Sequence, residues 1–99
     1  MADFNVSTAQ SAVVDEHFIF NFTALCRASG ADDEQVHALV AEGLLQPSGS
    51  GPQDWQFGGA SLPQTRRALR LARELDLSLH GAAIVMDLLA EIAVLKLMR

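Results

Sequence analysis

A single cysteine, Cys26, stands in this chain of 99 residues. That excludes an internal disulfide and any zinc site built from several thiolates. Basic residues are also few: 7 Lys and Arg face 12 Asp and Glu, giving a net charge of −5. Their placement says more than their number, because none occurs between residues 28 and 65. Nucleic-acid binders are normally basic, so that class starts at a disadvantage. No glycine-rich phosphate loop is present. Gly49 and Gly51 belong to a turn, and Gly58-Gly59 is a bend without the lysine of a P-loop. His17, His37 and His80 are far apart, and none stands in a HExxH pattern. Asp32, Asp33 and Glu34 are consecutive, which scatters their carboxylates around a helix and makes a poor metal cage. With no nucleophile–base pair and no metal constellation, no catalytic, cofactor or metal residue is expected, and an enzyme is discouraged.

Two further absences concern location. The start, Met-Ala-Asp, lacks a basic region followed by an apolar run, so no secretory signal is expected and the reducing cytoplasm is the expected compartment. Residues 79–98 approach the ~20 apolar residues a membrane span needs. His80, Asp87, Glu91 and Lys96 interrupt them, and each charge at mid-membrane costs roughly 2.5–3.5 kcal/mol. This segment is expected to be a core and dimer helix, with no membrane contact.

What is present suffices for one folded domain, or one domain and a short tail. Hydrophobic residues make up 49% and charged residues 19%, enough apolar matter for a core. Residues 1–11 are small and polar with no helical stripe, so a flexible segment is expected over 1–12. Residues 13–20, VVDEHFIF, are rich in β-branched and aromatic residues and predict a short strand. Asn21 can cap a helix whose inner face carries Phe22, Leu25 and Cys26, and Gly30 stands where such a helix ends. Asp32 opens a second helix, with Gln35 at capping-box spacing, Val36, Leu39 and Val40 as its apolar stripe, and Gly43 as its stop. Two short helices joined around Gly30 form a helix-turn-helix pattern.

Leu44-Leu45-Gln46-Pro47 is extended, residues 48–52 (SGSGP) turn, and Asp54-Trp55-Gln56-Phe57 alternates as a strand does. Together they predict a β-hairpin, or wing. Trp55 and Phe57 share one side of that strand and are expected to pack the wing on the helices. If Trp55 is buried, its loss is expected to cost about 3–5 kcal/mol. Ser61-Leu62-Pro63-Gln64 reads as a third helix start with a serine cap, and Leu62, Leu69, Ala72 and Leu75 are expected to point inward. That helix is expected to end near Asp76. Ser78 then caps a last helix, in which Val85, Leu88, Ile92 and Leu95 alternate in steps of three and four. The apolar face there is wider than one small core needs, which predicts a homodimer through these four residues. The expected division is a flexible segment 1–12, a winged helix-turn-helix-like domain 13–77 and a dimerisation helix 78–99.

The order helix, turn, helix, hairpin, long helix, Leu-Ser-Leu junction, last helix resembles the MerR-type winged-helix layout. The segments that carry the resemblance are FNFTALCRASGADDEQVHALVAEGLLQP, WQFGGASLPQTRRALRLARELDLSLHGAAI and the terminal helix. Within that superfamily the chain is most similar to the CbpM chaperone-modulator family. The similar features are the spacing from Phe20 to Cys26, Gly43 followed by Leu-Leu-x-Pro, Trp55-x-Phe57, and the run from Arg66 to Ile92. The resemblance covers about residues 17–97 and rests on the combination, not on one motif. It implies a mostly α fold with a small β-hairpin, and an inhibitor that binds the J-domain of a CbpA-type co-chaperone and keeps it from the Hsp70 DnaK.

Charge bears on the same question by a separate route. A MerR-type regulator presents arginine on its second helix and wing, whereas here that stretch carries Asp32, Asp33, Glu34, Glu42 and Asp54 and no base. DNA affinity depends on cations that release counterions, so such a surface repels the duplex. An acidic face suits a basic partner, and J-domains typically carry Lys and Arg on the helix that meets the Hsp70. Asp33, Glu34, His37 and Glu42 are therefore the candidate J-domain-binding residues. The bland account of the same residues is a solvated face, with acids favoured at a helix N-terminus by its dipole. Arg66, Arg70 and Arg73 share a face of the third helix, with Arg67 beside them. They form either a solvated face with pairs such as Arg70–Glu74 or the route for any nucleic-acid contact. The alternative function is thus a MerR-like DNA-binding transcription regulator. Cys26 is expected to be a core residue and no nucleophile.

Overall fold

Asn21 ends a three-residue strand, β1 (Ile19–Asn21), and caps the helix that follows, α1 (Phe22–Ser29). The computed structural model describes residues 18–99. The expected flexible segment, residues 13–17 of the expected strand and His17 lie outside them. Asn21 Oδ1 accepts from the Ala24 N–H at 2.8 Å, satisfying one of the free amides of the first turn. Gly30 closes α1 at φ 84°, a left-handed conformation natural to glycine, and its N–H donates to the Cys26 carbonyl. Ser29 Oγ donates to the Leu25 carbonyl at 2.7 Å and accepts from the Ala31 N–H at 3.2 Å, which fixes the turn.

The second helix, α2 (Asp33–Ala41), begins with a complete capping box. The Gln35 N–H donates to Asp32 Oδ1 at 2.8 Å, and the Asp32 N–H donates to Gln35 Oε1 at 2.9 Å. Val36 and Leu39 are its buried residues. Gly43, at φ 82°, turns the chain away. The helix-turn-helix read from the caps is therefore observed.

The wing differs in its pairing. Strand β2 (Gln56–Gly58) pairs antiparallel with β1, in the register Ile19 to Gly58, Phe20 to Phe57 and Asn21 to Gln56. Only Ser48 closes the expected hairpin loop, exchanging two 3.0 Å hydrogen bonds with Gln56 around a 3-10 turn at Pro52–Asp54. Pro47 has no N–H to give a ladder, which weakens residues 44–47 as a strand partner. Phe20 and Phe57 are paired in that register and both buried, which gives β1 the stronger claim on β2.

Helix α3 (Ser61–Glu74) starts one residue earlier than its serine signal implies. Its N-cap is Ala60, without a side-chain hydrogen bond, and Ser61 is the first helical residue, buried in the core. Burial overrides the local capping preference. The buried line of α3 is Ser61, Thr65 and Ala68, small residues at helical spacing. Leu62, Leu69 and Ala72 flank it half-buried, and Leu75, expected inward, is 53% exposed. Small side chains on the contact line let α3 approach its neighbours closely. The helix ends in a left-handed turn at Asp76 (φ 56°), where the Leu77 N–H donates to the Ala72 carbonyl at 2.8 Å.

The last helix, α4 (Leu79–Leu97), is capped by Ser78, whose Oγ accepts from the Gly81 N–H at 3.0 Å. The axes of α3 and α4 bend by 114° at the junction. Helix α1 packs on α3, and α4 packs on both α3 and α2. Leu25, Val36, Leu39, Leu45, Phe57 and Ala68 are the core. Ala82, Ala83 and Met86 bring the start of α4 into the fold, whereas residues 87–99 are all exposed.

Candidate protein-docking face

Burying Val36 and Leu39 fixes what α2 shows outside. Asp33, His37 and Ala41 recur every four residues and are exposed, with exposed Glu34 beside them. Three of the four candidate partner-binding residues, Asp33, Glu34 and His37, therefore share one surface. Glu42 does not. It stands past the end of α2 and turns to α4, where its Oε1 lies 2.7 Å from His80 Nδ1. This is the only ion-pair geometry among the described residues, and the anticipated Arg70–Glu74 pair does not form.

Cys26 is half-buried, and its Sγ donates to Asp33 Oδ1 at 3.7 Å. Burial pushes the thiol pKa up, and the negative charges of Asp33 and Asp32 push it the same way. The thiol stays protonated at neutral pH, so Cys26 acts as a packing residue with a weak donor. Among the described residues no group of three or more His, Cys, Asp or Glu is placed to hold a metal ion.

The sequence does not reveal how the aromatic rings meet. Phe22 from α1, His37 from α2 and Trp55 from the loop before β2 converge. The ring centroids are 5.1 Å apart for Phe22–His37, 5.1 Å for His37–Trp55 and 6.1 Å for Phe22–Trp55. Phe57 supports Trp55 from within, edge to face at 5.8 Å, and is 1% exposed. Trp55 itself is half-buried, so the condition for a full core tryptophan is not met, and part of its ring belongs to the surface. A shallow cavity of about 400 Å³ is lined by Asn21, Phe22, Thr23, Pro52 and Gln53. The one legible signal was the Trp55-x-Phe57 alternation; nothing local ties it to Phe22 or His37.

On α3, Arg66, Arg67, Arg70 and Arg73 are all exposed. Arg66 is engaged, donating from Nη2 to the Ala28 carbonyl at 3.0 Å, in the last turn of α1 where the helix dipole favours a cation. On α4, Val85 is half-buried, while Leu88, Ile92 and Leu95 are 52%, 47% and 62% exposed. No single helix among the described residues is long and apolar enough to cross a membrane.

A helix-turn-helix, a small wing and a long following helix define a MerR-like module. The family model for MerR HTH family regulatory proteins matches residues 20–97. The chain is also similar to curated relatives. It is 36% identical to a chaperone modulatory protein CbpM of Pseudomonas putida over 72 residues, which is 73% of this chain and 71% of that protein. It is 35% identical to the chaperone modulatory protein CbpM of Salmonella paratyphi B over the same shares. The chain belongs to the CbpM family, a branch of the MerR-type helix-turn-helix regulators.

Proposed function

We propose that this chain is a chaperone modulator that binds the J-domain of a CbpA-type co-chaperone and, by competition, keeps it from the Hsp70 DnaK. The observation that carries this reading is the acidic outer face of α2, Asp33 and Glu34 beside His37, in a stretch of the chain without any Lys or Arg. The relatives' name, chaperone modulatory protein, supports the chaperone connection. Opposite charge accelerates and orients association with a basic helix, and adjoining apolar contacts supply affinity. Glu42, turned off this face to His80, adds only its charge to the acidic stretch. The chain acts by occupying a surface, not by catalysis, and needs no cofactor. Its place of action is the cytoplasm. It works as a homodimer, with Val85, Leu88, Ile92 and Leu95 of α4 as the seam.

Calorimetric titration with the isolated J-domain of a CbpA-type co-chaperone tests the reading. Saturable binding at micromolar affinity or tighter is expected. The double variant Asp33→Lys, Glu34→Lys is expected to weaken it by about tenfold or more while leaving the thermal melt in place. Absence of binding by the folded wild type overturns the proposal, and unchanged affinity in the double variant moves the contact off α2. The alternative, a DNA-binding regulator, would meet the duplex with this acidic surface, and the α3 arginines Arg66, Arg70 and Arg73 would be the route for any such contact.

A further inference from the structure

The three converging rings lie beside the acids of α2. Phe22, His37 and Trp55 meet at interplanar angles of 58°, 56° and 51°, so no pair stacks flat. His37 is exposed, and Phe22 and Trp55 pack against the core while remaining only half-buried. Asp33 and Glu34 extend from the same helix as His37, and Asp54 precedes Trp55. Arg27, the nearest cation in the chain to Phe22, stands five residues further along α1, about 140° around its axis. Partly exposed rings near carboxylates, two of them in a stretch of chain without Lys or Arg, suit a guanidinium or ammonium group. A shallow cavity borders Phe22 together with Asn21, Thr23, Pro52 and Gln53.

We infer that the ring cluster Phe22–His37–Trp55 is a receptor for a cationic side chain, an arginine or lysine presented by a basic helix of the partner. The acids of α2 draw the helix in, and the rings hold one of its cations. The inference takes the partner's identity from the proposed function, but the site itself stands on the ring geometry and the local charge. Trp55 is the chain's only tryptophan, so its fluorescence reports occupancy directly.

Two probes are titrated into the intact chain: the isolated J-domain, and a synthetic helical peptide of about 15 residues with arginines at i and i+4. A second peptide carries citrulline, which keeps the shape of arginine without its charge. The variants are Trp55→Leu and Phe22→Leu, which remove a ring without changing charge, and Trp55→Phe, which keeps one. Calorimetry reads all of them, and circular dichroism confirms their fold.

The expected result is that Trp55→Leu and Phe22→Leu each weaken both probes by about tenfold. Trp55→Phe is expected to keep most of the affinity, and the citrulline peptide to leave Trp55 fluorescence unmoved. Binding held only by diffuse charge would be indifferent to the ring variants, and that result overturns the inference. So does equal binding of the citrulline peptide. If Trp55→Leu fails to fold, Phe22→Leu and the citrulline comparison decide. Arginine-peptide binding without J-domain binding upholds the ring site and refutes the proposed partner. J-domain binding that ignores both ring variants upholds the partner and refutes the ring site. If the wild type binds neither probe, both fall.

Discussion

Among the described residues, the buried side-chain polar atom without a hydrogen-bond partner is Thr65 Oγ1, on the core face of α3 at 0% exposure. An unsatisfied buried hydroxyl costs about 1–3 kcal/mol, whereas a methyl in its place costs nothing in hydrogen bonding. Valine keeps the β-branch and nearly the same helix propensity. Thr65→Val is therefore expected to stabilise the fold by about 1 kcal/mol, raising the calorimetric Tm by about 4–8 °C. A lower Tm would show that the hydroxyl is satisfied in solution. Residue-level reading of the sequence works where a side chain acts on its own neighbourhood. Cys26 reads as a packing residue because it shares a helix face with Phe22 and Leu25, and the structure sets its thiol against Asp33. The same reading is blind to Glu42 and His80, whose 2.7 Å contact joins residues on different helices.

At the scale of elements, the helix boundaries follow short-range chemistry. Asn21, the Asp32–Gln35 box and Ser78 each bond an amide three residues away, so the cap and its partner lie within one readable window. Ser61 carries the same kind of signal but is drawn into the core, and α3 starts at an uncapped Ala60. The other end of α3 stores a local cost. Asp76 occupies the left-handed position that glycine fills best, and aspartate tolerates it only in part. Asp76→Gly is expected to gain about 0.5–1 kcal/mol, discounted for the greater freedom of glycine in the unfolded chain. Chemical denaturation reads this as a higher midpoint at unchanged slope. A lower midpoint would mean that the carboxylate makes a contact worth more than the strain. The strand partner of β2 escaped local reading, because pairing Phe20 with Phe57 is a decision about the core, made across the whole helix-turn-helix.

For the molecule as a whole, the open question is the far half of α4. Residues 87–97 touch no core and still form helix, with Leu88, Ile92 and Leu95 facing solvent. A segment of that length is marginal as an isolated helix, and an apolar stripe of that size marks an interaction surface. Pairing with a second copy would bury the stripe and support the helix together. The double variant Leu88→Asp, Ile92→Asp is expected to convert a dimer to a monomer by light scattering, with helical circular dichroism reduced. A wild type that is monomeric at micromolar concentration would remove the dimer from the proposal. The molecule is also polarised, with acids on α2 and arginines on α3, so the two helices favour partners of opposite sign.

The sequence by itself determined the four helices, the caps at Asn21, Asp32 and Ser78, and the sign of each surface. Each of these is set by residues within a few positions of one another, where spacing is distance. Tertiary structure alone decided which strand pairs with β2, that Ser61 and Thr65 face the core, that Glu42 leaves the face of α2, and that three rings from distant segments meet at the surface. Those outcomes depend on how close-packed elements share one small core, and chain separation carries no measure of that.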